Sequence, residues 1–155
     1  MEKYSGRCSC GNVRYHITDE PMFTHACHCK HCQRYTASAF VVHSRIESSN
    51  FVLDKGSLIT TIGPSGSGRG HSIKRCEKCG DQIYSHFGAL GTDQLLVLKT
   101  TTLDDAEMFP PLAHIFTKSK LSWVVLGTDI PVFETSYAID EMYSKRSLER
   151  LSKFN

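Results

Sequence analysis

Three cysteines fall within six residues near the start of this chain, and no other feature constrains its fold as strongly. The other four cysteines form two pairs, one on each side of the triplet. Because seven is an odd number, disulfide bonds could not pair them all. In chain order the cysteines are Cys8 and Cys10, then Cys27, Cys29 and Cys32, then Cys76 and Cys79.

The rest of the sequence indicates a compartment in which these thiols stay reduced. The N-terminal residues contain no apolar run typical of a signal peptide. The longest apolar runs, such as Leu95 to Leu98, are far too short to cross a bilayer. We therefore expect a cytoplasmic protein with no membrane partner, in which clustered cysteines are typically metal ligands.

Short runs of alternating or β-branched apolar residues predict a mainly β fold of short antiparallel strands. At 155 residues, a single domain with one core is feasible. Only residues 140–151 have sustained helical composition, which predicts one short C-terminal helix. The predicted strands are 13–17, 22–26, 39–43, 51–53, 58–62, 71–75, 82–87, 95–99, 114–116 and 123–126.

The two flanking cysteine pairs predict a closed, structural zinc site. Cys76 and Cys79 have the spacing of a zinc knuckle, and a glycine follows each pair, Gly11 after the first and Gly80 after the second. Four thiolates are a tetrahedral set that structural zinc prefers, with Zn–S distances near ~2.3 Å. The alternative is that one pair is only buried thiols, since free cysteine packs as a small hydrophobe.

The central triplet predicts an open metal site instead, because three protein ligands with a vacant fourth position are the pattern of catalytic zinc. The alternative adds a fourth protein ligand, which makes both sites structural; His25, His28 and His31 are nearest in sequence. Three thiolates make zinc a poor Lewis acid for hydrolysis, whereas a further sulfur from a substrate suits this soft ligand set. The triplet therefore indicates a small thiol as substrate.

The cysteine motifs together resemble the glutathione-dependent formaldehyde-activating enzyme family, whose superfamily includes centromere protein V. The resemblance covers roughly residues 4–126, and residues 114–123 look like the family's C-terminal signature. The motifs that carry it are Gly6-x-Cys8-x-Cys10-Gly11, Cys27-His28-Cys29-x-x-Cys32-Gln33-Arg34 and Cys76-x-x-Cys79-Gly80.

The resemblance implies a β-tent fold with two zinc ions per chain. By position it makes Cys8, Cys10, Cys76 and Cys79 the structural ligands and Cys27, Cys29 and Cys32 the catalytic ligands. On this basis we expect residues 1–130 to form a zinc-binding β-tent domain and residues 131–155 to be a C-terminal extension packed on it. No catalytic residue beyond the metal ligands follows from the resemblance.

The leading hypothesis is a zinc-dependent carbon–sulfur lyase. The family's nominal activity is the condensation of formaldehyde with glutathione to S-(hydroxymethyl)glutathione. A thiol such as glutathione would bind the open zinc as thiolate and add to, or leave, a small aldehyde carbon.

The rival hypothesis is a non-catalytic zinc module that binds nucleic acid or a protein partner. Its best feature is the basic run 145–153, but a formal net charge of +2 makes nucleic acid the less favoured partner. A third alternative is a family member that keeps the fold without the chemistry.

Overall fold

The computed structural model describes residues 3–154, which form ten β-strands in two sheets. The strands are β1 Tyr4–Arg7, β2 Arg14–Ile17, β3 Phe23–Cys27, β4 Val41–Glu47, β5 Phe51–Lys55, β6 Leu58–Gly63, β7 His71–Cys76, β8 Gln82–Phe87, β9 Leu95–Lys99 and β10 His114–Ile115. The small sheet is antiparallel in the order β1-β2-β5. The large sheet has the order β10-β3-β4-β9-β8-β7-β6 and is antiparallel except where β10 runs parallel to β3.

The main core lies between the two sheets and follows from the period-two alternation of the strands. Tyr15 and Ile17 of the small sheet cluster with Ile46 and Leu98 of the large sheet. Strand β9 is buried at all of its positions, as expected for a strand that is covered on both faces. Its last buried residue is a lysine, Lys99, which places a charged group inside the molecule.

One end of the large sheet brings the cysteine segments together. Cys27 is the last residue of β3 and pairs with Val41, the first residue of β4. Strand β9 ends at Lys99 and β7 ends at Cys76, which pairs with the first residue of β6. We call this end of the strands the cysteine end of the large sheet.

Three short α-helices accompany the sheets: α1 Lys30–Thr36, α2 Ile139–Met142 and α3 Lys145–Leu151. The single helix predicted over 140–151 is therefore divided in two. Tyr143 is extended rather than helical because its ring is buried in a stack on Phe23, with the ring centroids 4.8 Å apart. Ser144 then caps α3 by accepting a hydrogen bond from the Ser147 amide. No helix within residues 3–154 has the length and apolar character needed to cross a membrane.

The mainly β fold class is confirmed, but the strand predicted at 123–126 is wrong. The preceding residues form a turn in which the Lys120 ammonium donates to the carbonyl oxygens of Leu121 and Val124, at 3.1 and 2.6 Å. The side chains of Trp123 and Val125 are 70% and 91% exposed. This apolar run therefore lies outside both sheets, next to a turn in which the Lys120 ammonium binds the Leu121 and Val124 carbonyls.

A buried ion pair attaches α3 to the large sheet. The Arg150 guanidinium donates to both carboxylate oxygens of Glu47, at 2.7 and 2.5 Å, and a third bond goes to the Glu20 carbonyl. The Arg150 and Glu47 side chains are only 9% and 11% exposed. Arg146 on the same helix contacts Asp19 in a bridge whose arginine is 59% exposed.

Replacing Arg150 by alanine is expected to lower the free energy of unfolding by about 3–5 kcal/mol, because it leaves the Glu47 charge buried without a partner. Replacing Arg146 by alanine should leave it nearly unchanged, since water already screens that pair. Urea denaturation of both variants checks this. Equal stability of the two variants would contradict the structural role assigned to Arg150.

Candidate metal centres

The four flanking cysteines lie on two tight turns, one between β1 and β2 and the other between β7 and β8. The Gly11 amide donates to the Cys8 carbonyl at 3.1 Å, and the Gly80 amide donates to the Cys76 carbonyl at 2.9 Å. Both glycines have positive φ, 72° and 79°, which explains why glycine follows each pair. Each turn therefore places the side chains of its two cysteines in the same region.

The four-cysteine group (Cys8, Cys10, Cys76 and Cys79) has its sulfur atoms within 4.8 Å of one another. The Cys8–Cys10 and Cys10–Cys76 sulfur distances are 3.5 and 3.8 Å. A tetrahedral zinc with Zn–S bonds of about 2.3 Å requires sulfur atoms roughly 3.8 Å apart. The Val13 amide also donates to the Cys8 sulfur at 3.2 Å. The donor set and its spacing fit a closed, zinc-like site.

The three-cysteine group (Cys27, Cys29 and Cys32) forms where β3 leads into α1. Its sulfur atoms also lie within 4.8 Å of one another; Cys27 and Cys32 are buried and Cys29 is half-buried. The Cys29 sulfur caps α1 by accepting from the Cys32 amide at 3.4 Å. Hydrogen bonds from the Cys27 and Cys32 side chains hold the pKa of the Cys29 thiol well below its usual range. These sulfurs are arranged to share negative charge, as ligands of a soft cation do.

Two of the three histidines considered as a fourth ligand, His25 and His28, have other partners, and His31 lies on α1 with its ring centroid 6.5 Å from that of Tyr35. His28 Nε2 lies 3.0 Å from His114 Nδ1, and His25 Nδ1 lies 2.8 Å from the Tyr137 hydroxyl. Burial lowers the pKa of His25 to about 3 and that of His28 to about 4, so both rings are neutral near pH 7. Within the described chain, no histidine or carboxylate atom shares the 4.8 Å spacing of the three sulfurs. The geometry therefore offers three protein ligands.

Gln33 connects the three-cysteine group to a distant part of the chain. Its side-chain amide donates to the His28 carbonyl at 2.7 Å and to the Ser119 carbonyl at 3.0 Å. The sequence showed Gln33 only as part of the cysteine motif. The Gln33 side chain therefore joins two backbone carbonyls that are far apart in sequence, those of His28 and Ser119. These two bonds orient the loop that carries Cys29.

The large-sheet face beneath α1 carries basic groups that sequence reasoning missed. Lys99 is buried, and its Nζ lies 3.3 Å from His43 Nε2 and 3.2 Å from the Ser85 hydroxyl, to which it donates. His71 is buried nearby and stacks on Phe87 with ring centroids 3.9 Å apart. The signal that could have identified Lys99 is its place at the end of the apolar run Leu95 to Leu98.

The comparison with protein families agrees with the motif analysis. A family model described as "Glutathione-dependent formaldehyde-activating enzyme" matches residues 3–119. No curated protein is similar enough to count as a relative. Among solved structures, a crystal structure of a Rhodobacter sphaeroides protein from a structural genomics programme is 15% identical, with a TM-score of 0.49, over 83% of this chain and 98% of that chain. A likeness at that level carries no argument about activity.

Replacing Gln33 by alanine is expected to weaken metal binding at the three-cysteine group by about tenfold or more, as is typical when a group that orients the ligands is removed. Arg34→Ala is the matched control, because Arg34 is exposed on the same helix. Titration of the metal-depleted proteins with Co²⁺, followed by thiolate-to-cobalt absorption, measures the affinity. The same affinity in both variants would show that Gln33 does not hold the loop.

Proposed function

The chain belongs to the glutathione-dependent formaldehyde-activating enzyme family, and from this premise we propose that it is a zinc-dependent carbon–sulfur lyase. Its substrates would be a small thiol, nominally glutathione, and a small aldehyde, nominally formaldehyde. The observation that carries the proposal is the three-cysteine group, which offers three sulfurs and, among residues 3–154, no fourth protein ligand. A cation held there would keep one position for a ligand from outside.

We propose zinc as the cation in both groups, with the four-cysteine group structural and the three-cysteine group catalytic. Thiolate-rich sites select soft or borderline cations, of which zinc has no redox chemistry of its own. Zinc held by Cys27, Cys29 and Cys32 would lower the pKa of an incoming thiol and hold its sulfur as a nucleophile. The closed group would join the small sheet to the β7–β8 turn.

The residues around the three-cysteine group suit this role. Val41, Ile115 and the partly buried Phe116 form an apolar cluster with the three cysteines. A dry environment strengthens every charge interaction within the site. Cys29 is less buried than its two partners, so a thiol would enter from the Cys29 side.

The nucleic-acid alternative loses support from the contacts of the basic run 145–153. Arg150 is buried and bound to Glu47, so it is not free to neutralise a phosphate, and Arg146 bonds to Asp19. No other observation favours that alternative.

We expect the purified protein to hold two zinc ions per chain, one for each cysteine group. Cys32→Ser should keep one ion and the fold, whereas Cys76→Ser should unfold the chain, since structural zinc contributes on the order of ~10 kcal/mol to folding. Metal analysis and circular dichroism measure both properties. Unfolding of Cys32→Ser to the same extent would contradict the division of roles.

We also expect the zinc-loaded protein to bind glutathione through its sulfur. S-methylglutathione has no thiol to offer and should bind at least about tenfold more weakly, because a thioether is a poorer zinc ligand than a thiolate. Calorimetry on the wild type and on Cys32→Ser tests this. If glutathione binds Cys32→Ser as tightly as the wild type, the proposed function is wrong.

A further inference from the structure

A set of buried basic groups lies between the large sheet and α1, next to the three-cysteine group. We call it the basic cluster; its basic members are His43, His71 and Lys99, and it includes the neutral Ser85 hydroxyl to which Lys99 donates. All four lie on one face of β4, β9, β8 and β7, and each is at most 5% exposed. Lys99 bonds to His43 and Ser85, whereas both ring nitrogens of His71 lack a partner, which is unusual because buried polar groups normally have their hydrogen-bonding partners within the protein.

Lys99 carries a positive charge that no carboxylate balances. Its Nζ contacts the Ser85 hydroxyl and the neutral ring of His43 and lies over the Phe87 ring, 5.8 Å from the ring centroid. Within residues 3–154 it takes part in no ion pair. Burial lowers the pKa of Lys99 to about 8, which leaves the ammonium form dominant at pH 7. An ammonium has three N–H donors, so one remains for a ligand.

His71 offers a second donor without a partner. Both ring nitrogens are buried and have no hydrogen bond, although the ring is held between Phe87 and the edge of Tyr35 at 3.9 and 5.0 Å. Burial lowers its pKa to about 4, so one nitrogen carries a hydrogen and no charge near pH 7. A rigidly held but unsatisfied imidazole indicates that a ligand completes its bonding.

The register places Lys99 and His43 beside the three-cysteine group. Lys99 pairs with His43, and Val41, two residues earlier on the same face of β4, pairs with Cys27. Cys32 is the buried residue of α1, the helix above this face. Lys99 also lines a cavity of about 530 Å³ beside α1, together with Val41 and Tyr35.

We propose that Lys99 and His71 form an oxyanion subsite that stabilises the aldehyde oxygen when a thiolate adds to the aldehyde carbon. The proposal rests on the proposed function. In the step, a sulfur lone pair forms the C–S bond and the π pair of the C=O bond moves to the oxygen. That oxygen then receives the proton that the thiol had lost, so thiol and aldehyde together give the hydroxymethyl thioether without any oxidant.

The charge balance favours an oxyanion as the ligand. Three thiolates around a divalent cation leave one net negative charge, and a substrate thiolate adds another. A fixed cation in a dry, preorganised site offsets this charge and is most effective where new negative charge develops. The subsite is nearly closed to solvent, which suits a single oxygen rather than the bulk of a peptide.

The test compares two thiols of similar length on the zinc-loaded protein: thioglycolate, which carries an oxyanion close to its sulfur, and 2-mercaptoethanol, which carries a neutral hydroxyl. Calorimetry gives both affinities for the wild type, Lys99→Met and His71→Phe. Lys74→Met is the control for general loss of charge, since Lys74 lies on β7 with its Nζ bound to the Thr60 hydroxyl. Zinc content and thermal unfolding confirm that each variant is folded.

We expect the preference for thioglycolate over 2-mercaptoethanol to fall at least about tenfold in Lys99→Met, less in His71→Phe and not at all in Lys74→Met. An unchanged preference in both Lys99→Met and His71→Phe, with thiol binding intact, would overturn the subsite and leave the proposed function standing. If Lys99→Met does not fold, the preference in His71→Phe decides. Failure of the wild type to bind either thiol would overturn the proposed function and the subsite with it.

Discussion

Seven sulfur atoms converge into two groups near the cysteine end of the large sheet, and the rest of the structure depends on that convergence. The four-cysteine group joins the β1–β2 turn to the β7–β8 turn, while the three-cysteine group joins β3 to α1. Thiolates held this close repel one another unless protons or a cation lie between them. The lowered pKa of Cys29 shows how protons shared with its neighbours allow one thiolate to persist. A soft divalent cation would satisfy all three sulfurs at once.

The electrostatics of the sheet face complement the sulfur groups. Burial keeps His25, His43 and His71 neutral, so Lys99 supplies a buried positive charge on this face. A buried charge without a partner would normally be replaced by an apolar residue. Lys99 lies next to the thiolate-rich three-cysteine group. A positive charge there is favourable if the three-cysteine group becomes still more negative when a ligand binds.

The cysteine spacing was enough to predict two metal-binding groups, since three thiols within six residues are far more typical of a metal site than of an apolar core. The strand at 95–99 was predicted with the observed bounds because its apolar run is continuous. Strand register, by contrast, depends on contacts between distant segments, so the alignment of Lys99 with His43 could not be predicted. The break at Tyr143 was missed for a similar reason, since the stacking on Phe23 links residues 120 positions apart. The roles of the individual cysteines and the division of the chain near residue 130 stay predictions.

X-ray absorption at the zinc edge, recorded with and without glutathione, tests the central claim most directly. If the three-cysteine group keeps a position open, glutathione should replace a light oxygen or nitrogen neighbour with a sulfur at about 2.3 Å, and the mean number of sulfur neighbours per zinc should rise. A first coordination shell that is already all sulfur without glutathione, or one that glutathione leaves unchanged, would contradict the claim that the three-cysteine group keeps a position open.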